Sequence, residues 1–237
     1  MTKPIFIFGL LLLFAVSPSN AQLGKVLKGL GIDQNQGPQD DTVVSGLKEA
    51  LQVGSGNAVN LTGKVDGYFH NEAIKILMPE KLKAVEKGLR MMGYAPQIDE
   101  FVLSMNRAAE KAAPFAKDIF WEAIKQMSFT DAGKILKGGD TAATDYFRQN
   151  TTEKLAAAFQ PVVKESMDSL GVTRQYNELV GRYQTIPFVK SESFDINHYV
   201  VTKALNGLFH VLGEEEKKIR TNPAARVTDL LKEVFAK

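Results

Sequence analysis

Between positions 82 and 112 the chain places apolar residues three and four apart almost without a break. Leu82, Val85, Leu89 and Met92 form one stripe. Ile98, Phe101, Met105, Ala108 and Ala112 form a second, widened by Val102 and Ala109. Residues at these spacings share one face of an α-helix, so each stripe predicts an amphipathic helix with a core-facing side. Pro79 suits the first turn of the earlier helix and Gly93 suits its end. The same period returns in Ile119, Phe120, Ala123, Ile124 and Met127, and again in Leu155, Phe159, Val162, Val163 and Leu170. It continues through Tyr176, Leu179, Val180 and Tyr183, and then through Val200, Ala204, Leu205, Leu208, Phe209 and Leu212. Val227, Leu230, Leu231, Val234 and Phe235 close the series. A run from Thr42 to about Leu61 opens it, with Gly54-Ser55-Gly56 as an expected bend. One stretch has a different character. Gly67-Tyr68-Phe69 and Ile74-Lys75-Ile76 favour extended backbone and flank a polar tetrapeptide, which predicts one very short β-hairpin near 67–76. The expected fold class is therefore all-α, a single-domain multi-helix bundle of about eight to ten helices with that hairpin attached.

Start and stop signals are densest in Gln126–Thr151. Ser128 with Asp131 predicts a capping box. Gly138-Gly139 follows a short helix and can supply the left-handed residue that closes it. Asp140 or Thr141 then caps a helix over Ala142–Gln149, with Tyr146 and Phe147 as its anchors. Asn150 with Glu153 reads as another capping box, and Pro161 should kink or split the helix that follows. Asp195 caps the longest expected helix, to about Arg220, whose charged second half Glu214–Lys218 is expected at the surface.

The first residues change the picture from fold to location. Lys3 precedes the apolar run Ile5–Val16, and Ser19 and Ala21 occupy the small-residue positions of a cleavage site. Met1–Ala21 is thus expected to be a cleaved signal peptide, which places the mature protein in the periplasm. The run is too short to cross about 30 Å of hydrocarbon comfortably, so no stable membrane span is expected after cleavage. Residues 22–41 comprise an amphipathic segment with Leu23, Val26, Leu27 and Leu30, then a polar linker from Asp33 to Asp41. That segment could dock on the domain or touch a membrane or a partner. Residues 42–237 form the expected helical domain.

Composition is ordinary for a globular chain, at 44% hydrophobic and 24% charged residues. Cysteine is absent, which removes disulfides, thiol redox chemistry and thiolate metal sites. A net charge of +2 gives no field that would gather nucleic acid. The histidines are His70, His198 and His210. The last two sit roughly 120° apart around one helix and cannot share a ligand on it. His210 with Glu214 is a helical pair of the kind that arises by chance, so no metal site, cofactor or catalytic set is expected. Ser45-Gly46-Leu47-Lys48 matches S-x-x-K but lacks the companion triplets of that enzyme class. The candidate binding residues are Asn106, Arg107 and Glu110 beside the core stripe, and Gly138, Gly139, Asp140, Tyr146 and Arg148 at the central corner. Gly138-Gly139-Asp140 lies ahead of a helix N-terminus that could hold an anion, although Asp140 would repel one. A ligand is expected on the face between the corner and Asn106–Arg107.

The sequences M-N-R-A-A-E at 105–110 and L-K-G-G-D-T-A-A-T-D-Y-F-R at 136–148 carry a resemblance. Together with G-L-K-E-A-L at 46–51, A-I-K-I-L-M-P-E-K-L at 73–82 and K-A-L-N-G-L-F at 203–209, the chain resembles the bacterial DUF4197 family from about Thr42 to its C-terminus. The resemblance implies an exported, helical, envelope-associated protein of Gram-negative bacteria, and it brings no catalytic residues. The expected function is non-catalytic: binding of a protein partner or an apolar small molecule between helices, against Phe, Met and Tyr side chains. Two alternatives stand beside it. One is an envelope enzyme using carboxylates with Arg107 or Arg148. The other is a structural or assembly factor acting through the N-terminal tether.

Overall fold

The second stripe of the sequence, Ile98 to Ala112, becomes the helix against which the rest of the described chain is arranged. A computed structural model describes residues 38–169 and 195–225, together with Arg174, Glu178 and Gly181. In chain order its α-helices are α1 (Pro38–Gly63), α2 (Lys83–Met91), α3 (Ala95–Ala112), α4 (Ala116–Gln126), α5 (Phe129–Lys137), α6 (Ala142–Ser169) and α7 (Ile196–Thr221). Short 3-10 turns precede α2 and α4 and follow α7. The chain divides into two compact units, Met1–Thr42 and Val43–Lys237. The expected signal peptide, the segment 22–32, the helix over 172–183 and the helix beyond 225 all lie outside the described residues.

Helices α3, α6 and α7 form the centre, and each packs on the other two. Helix α6 shows why. Seven of its nine buried positions, Ala143, Phe147, Thr151, Leu155, Phe159, Val163 and Met167, are each four residues from the last. At 3.6 residues per turn, a four-residue step drifts about 40° around the axis. The buried stripe therefore winds around α6, and successive parts of it meet α3, α4, α5 and α7. Phe120 of α4 lies 4.9 Å from Phe147 and 6.2 Å from Phe209, ring centre to ring centre, joining three helices in one aromatic cluster. Burying an aromatic side chain of this size contributes about 1.5–3 kcal/mol.

Several expected boundaries dissolve. Asn150 does not start a helix; its amide donates to the Tyr146 carbonyl, 2.8 Å away in the preceding turn. Pro161 does not split the helix either, and α6 runs through it without interruption. Pro161 lacks the amide that would bond the Ala157 carbonyl, a loss of about 3 kcal/mol in an exposed helix. The buried stripe on both sides of it outweighs that. Gly54-Ser55-Gly56 likewise leaves α1 continuous. Merging these pieces makes one continuous helix of Ala142–Ser169, where two or more were expected.

The expected hairpin is absent: there is no strand among the described residues. Residues 64–75 instead wind through tight turns, with Gly67 donating to Lys64, Asn71 to Tyr68 and Ile74 to Asn71. Gly67 is required there, since a Cβ would collide with the Leu61 carbonyl and lie 2.7 Å from that of Thr62. Residues 76–79 then run as an irregular strap to the start of α2. The β-favouring residue types are satisfied by burial, with Tyr68, Ile74 and Ile76 all in the core.

Other local signals act as the sequence predicts. The Ser128 hydroxyl accepts from the Asp131 amide at 3.1 Å, and Asp131 returns the bond to complete a capping box. Asp195 caps α7 by accepting from the His198 amide at 2.9 Å. Gly93 ends α2 with φ of 89°.

Candidate functional site

The candidate residues on α3 are drawn together around the 64–79 strap. Asn106 is fully buried, and its side-chain amide behaves like the edge of a neighbouring strand. Its Oδ1 accepts from the Ile76 amide at 2.8 Å, and its Nδ2 donates to the Ile76 carbonyl at 2.8 Å. One turn along, Glu110 is also buried. Its Oε1 accepts from the amides of Tyr68 and Phe69, at 3.1 and 3.2 Å. Its Oε2 accepts from Arg107 Nη1 at 2.6 Å, while Arg107 Nη2 donates to Asp66 Oδ1 at 2.7 Å. Asp66 has a φ of 66°, a left-handed conformation that few non-glycine residues adopt. Donating to Glu110, and then to Asp66, raises the pKa of Arg107 further despite its partial burial. On the far side of the strap the Tyr68 hydroxyl donates to the Ala204 carbonyl of α7 at 2.6 Å. Complete burial, with the nearby Glu110 charge, holds the Tyr68 phenol well above its ordinary pKa. The arrangement is a latch. It satisfies the buried backbone of an irregular segment and leaves no donor or acceptor on Asn106 or Glu110 turned toward a ligand.

The corner residues serve different neighbours. Gly138 closes α5 with φ −80° and ψ 177°, an extended conformation and not the left-handed one the glycine pair suggests. Its need for glycine is steric, because a Cβ would collide with Ala142 Cβ and lie 2.9 Å from the Lys134 carbonyl. Gly139 has open space around it, and its carbonyl accepts from the Ala142 amide at 3.2 Å. Asp140 is exposed. The N-terminus of α6 does hold an anion, but an internal one. Glu216 of α7 accepts from the amides of Ala143 and Thr144 at 2.9 and 2.8 Å, and from the Thr144 hydroxyl at 2.8 Å. Arg220 binds the same carboxylate at 2.8 Å and reaches the Ile135 carbonyl at 2.9 Å, which ties α5 to the corner. Glu215 and Glu216 are thus buried, where the charged run suggested a surface. Tyr146 donates its hydroxyl to the Ala123 carbonyl of α4 at 3.0 Å. Partial burial, then the charge of Asp131, raises its pKa.

Arg148 differs from the rest. Its guanidinium carbon stacks 4.5 Å from the centre of the Phe209 ring, and Nη1 meets Asn206 Oδ1 only weakly at 3.4 Å. It lines a cleft of about 220 Å³ between α6 and α7. Ala156, Val201, Leu205 and Phe209 form the floor, while Thr152, Gln160, His198, Thr202 and Asn206 complete the rim. The two helices run antiparallel here. Glu216 meets Thr144, Arg148 meets Asn206, and Gln160 shares the cleft with His198.

Other concavities lie elsewhere on the domain. The gap between α1, α6 and α7 at Leu47, Phe147 and Leu212 is about 20 Å³, room for roughly one water. A wide groove of about 780 Å³ is lined by both His70 and His210, with Asp66, Glu72 and Glu214. Among the described residues no three histidine, aspartate or glutamate side chains are grouped to hold a metal ion.

The predicted set therefore splits. Asn106, Arg107 and Glu110 act on the strap, and Gly138, Gly139 and Asp140 build the corner. Tyr146 braces α4 and borders an open, polar groove of about 400 Å³ with Asp131, Asp145 and Asn150, while Arg148 opens on the α6–α7 cleft. Reading the sequence missed Glu216, Asp66 and Phe209 as site residues. Glu216 was detectable, because it falls four residues after Leu212 in the apolar register of α7. Among the described residues no helix is long and apolar enough to cross a membrane. Neither curated proteins nor solved structures include a match to the chain. The family model described as protein of unknown function (DUF4197) matches residues 37–236. With its helical fold and the residues of its latch and corner inside that match, the chain belongs to the DUF4197 family.

Proposed function

We propose that this is a non-catalytic protein of the Gram-negative envelope, exported to the periplasm, that binds a partner or an apolar ligand at its surface. The observation that carries this reading is the α6–α7 cleft, with an apolar floor, a polar rim and an arginine whose donors are largely unused. Sites that bind small molecules share this make-up: mostly apolar walls and a few placed polar groups. Packing supports a surface site, since the gap between α1, α6 and α7 at Leu47 and Phe147, about 20 Å³, is far too small for a ligand. The buried acids support a non-catalytic reading. Glu110 and Glu216 each accept from backbone amides and pair with an arginine, so both serve the fold. Export is supported by the apolar run Ile5–Val16 with Ser19 and Ala21 after it.

Native mass spectrometry of the full-length gene product purified from the envelope fraction tests the reading. A bound mass or a partner chain is expected on the wild type and is expected to disappear from Ala156→Trp, which fills the cleft floor. Consistent recovery of bare monomer from both proteins would overturn it.

A further inference from the structure

The α6–α7 cleft has a chemistry of its own, and the inference drawn from it rests on the binding reading above. Arg148 carries five N–H donors. Its one hydrogen bond among the described residues is the 3.4 Å contact with Asn206. The guanidinium carbon lies 4.5 Å from the centre of the Phe209 ring, a cation–π contact that anchors the head group at this end of the cleft. Among the described residues no aspartate or glutamate lines the cleft, although the chain has 27 acidic residues. The site is therefore electropositive at one end and apolar along its floor at Ala156, Val201 and Leu205. A cation is repelled by such a site. A neutral hydrocarbon covers the floor but leaves the fork unmatched. A carboxylate presents two oxygens in the geometry of the fork.

We propose that this cleft binds a medium-chain aliphatic carboxylate, with the carboxylate on Arg148 and the alkyl chain along Ala156, Val201 and Leu205. Size agrees. Twelve residues of α6 separate Arg148 from Gln160, which at 1.5 Å per residue is about 18 Å of groove. The 220 Å³ of the cleft holds a chain of roughly seven carbons, taking each methylene as about one water's ~30 Å³. Burial of each further methylene raises affinity by up to about fourfold until the groove is filled.

The experiment is a calorimetric titration of the full chain with decanoate, decanol and decylammonium. It is repeated with Arg148→Met, Arg148→Lys and Ala156→Trp, each first checked for native circular dichroism. Arg148 is exposed, so its variants retain the fold. Decanoate is expected to bind at least about tenfold tighter than decanol, and decylammonium not at all. Arg148→Met is expected to abolish the preference for the acid, Arg148→Lys to retain part of it, and Ala156→Trp to remove binding of both. Equal affinity for decanoate and decanol, or an unchanged preference in Arg148→Met, would overturn the carboxylate assignment while the binding reading stands. An apolar peptide that binds in the cleft with its C-terminus amidated, where decanoate does not, would also overturn it. Absence of binding by all three probes, beside a ligand or partner retained in native mass spectrometry, overturns the inference alone. The same absence beside bare monomer overturns both.

Discussion

Replacing Asn106 by alanine removes the only partners that α3 offers to the Ile76 backbone. Ile76 is 1% exposed, so its amide and carbonyl cannot turn to water without moving the strap. Each buried backbone group left unpaired costs about 1–3 kcal/mol. Two are stranded, and the Leu77 side chain beside them is 57% exposed, so local rehydration recovers part of the loss. The net destabilisation is expected near 3 kcal/mol, a large share of the 5–15 kcal/mol that separates folded from unfolded domains. Urea unfolding followed by circular dichroism measures it. The midpoint should fall while the slope stays constant, because the surface exposed on unfolding is unchanged. Amide exchange gives a residue-level check, with the Ile76 amide exchanging faster than in the wild type. Asn60→Ala on the exposed face of α1 serves as control and should stay within about 0.5 kcal/mol. A loss below about 1 kcal/mol for Asn106→Ala, with Ile76 protection unchanged, would refute the latch.

Further outcomes follow from the same geometry. Glu216→Gln puts a donor against the α6 amides and leaves Arg220 without its carboxylate, so thermal or urea unfolding should register a loss of about 3 kcal/mol. Gly207→Ala places a Cβ 2.6 Å from the Tyr68 ring and 3.1 Å from Ile74 Cβ. Overpacking of about 1–3 kcal/mol should exceed the helix-propensity gain of about 1 kcal/mol, and a more stable variant would contradict the packing described. Tyr68 has a folded pKa raised above the ordinary tyrosine value, so its contribution is complete below about pH 10 and is lost as pH rises toward the folded pKa. Unfolding midpoints between pH 9 and 11.5 should therefore fall less steeply in Tyr68→Phe than in the wild type, and parallel curves would count against the burial of that phenol.

What the sequence determined by itself lies within a few residues of where it is read. The Ser128 and Asp195 caps each close a loop of three residues, and Gly93 turns its own helix end. The stripes of α3 and α7 fall where the spacing puts them, since apolar period and helical period are the same property. The tertiary structure decided what spans the chain. Asn106 finds Ile76 thirty residues back, Glu110 finds Tyr68 forty-two back, and Glu216 finds Ala143 seventy-three back. Glu216 carries a local sign of burial in the apolar register of α7, but nothing local says which backbone groups any of the three will meet. The same distance explains the boundaries that moved. Asn150 and Pro161 carry real local signals, but a stripe buried from Ala143 to Met167 contributes more than either. The 64–79 segment had strand-like residue types without a strand partner in sequence, and Asn106 supplied a side-chain amide in its place. The cleft was beyond sequence reading for the same reason. Arg148 and Phe209 come together only through the antiparallel register of α6 on α7, and that register is fixed by the packing of the whole core.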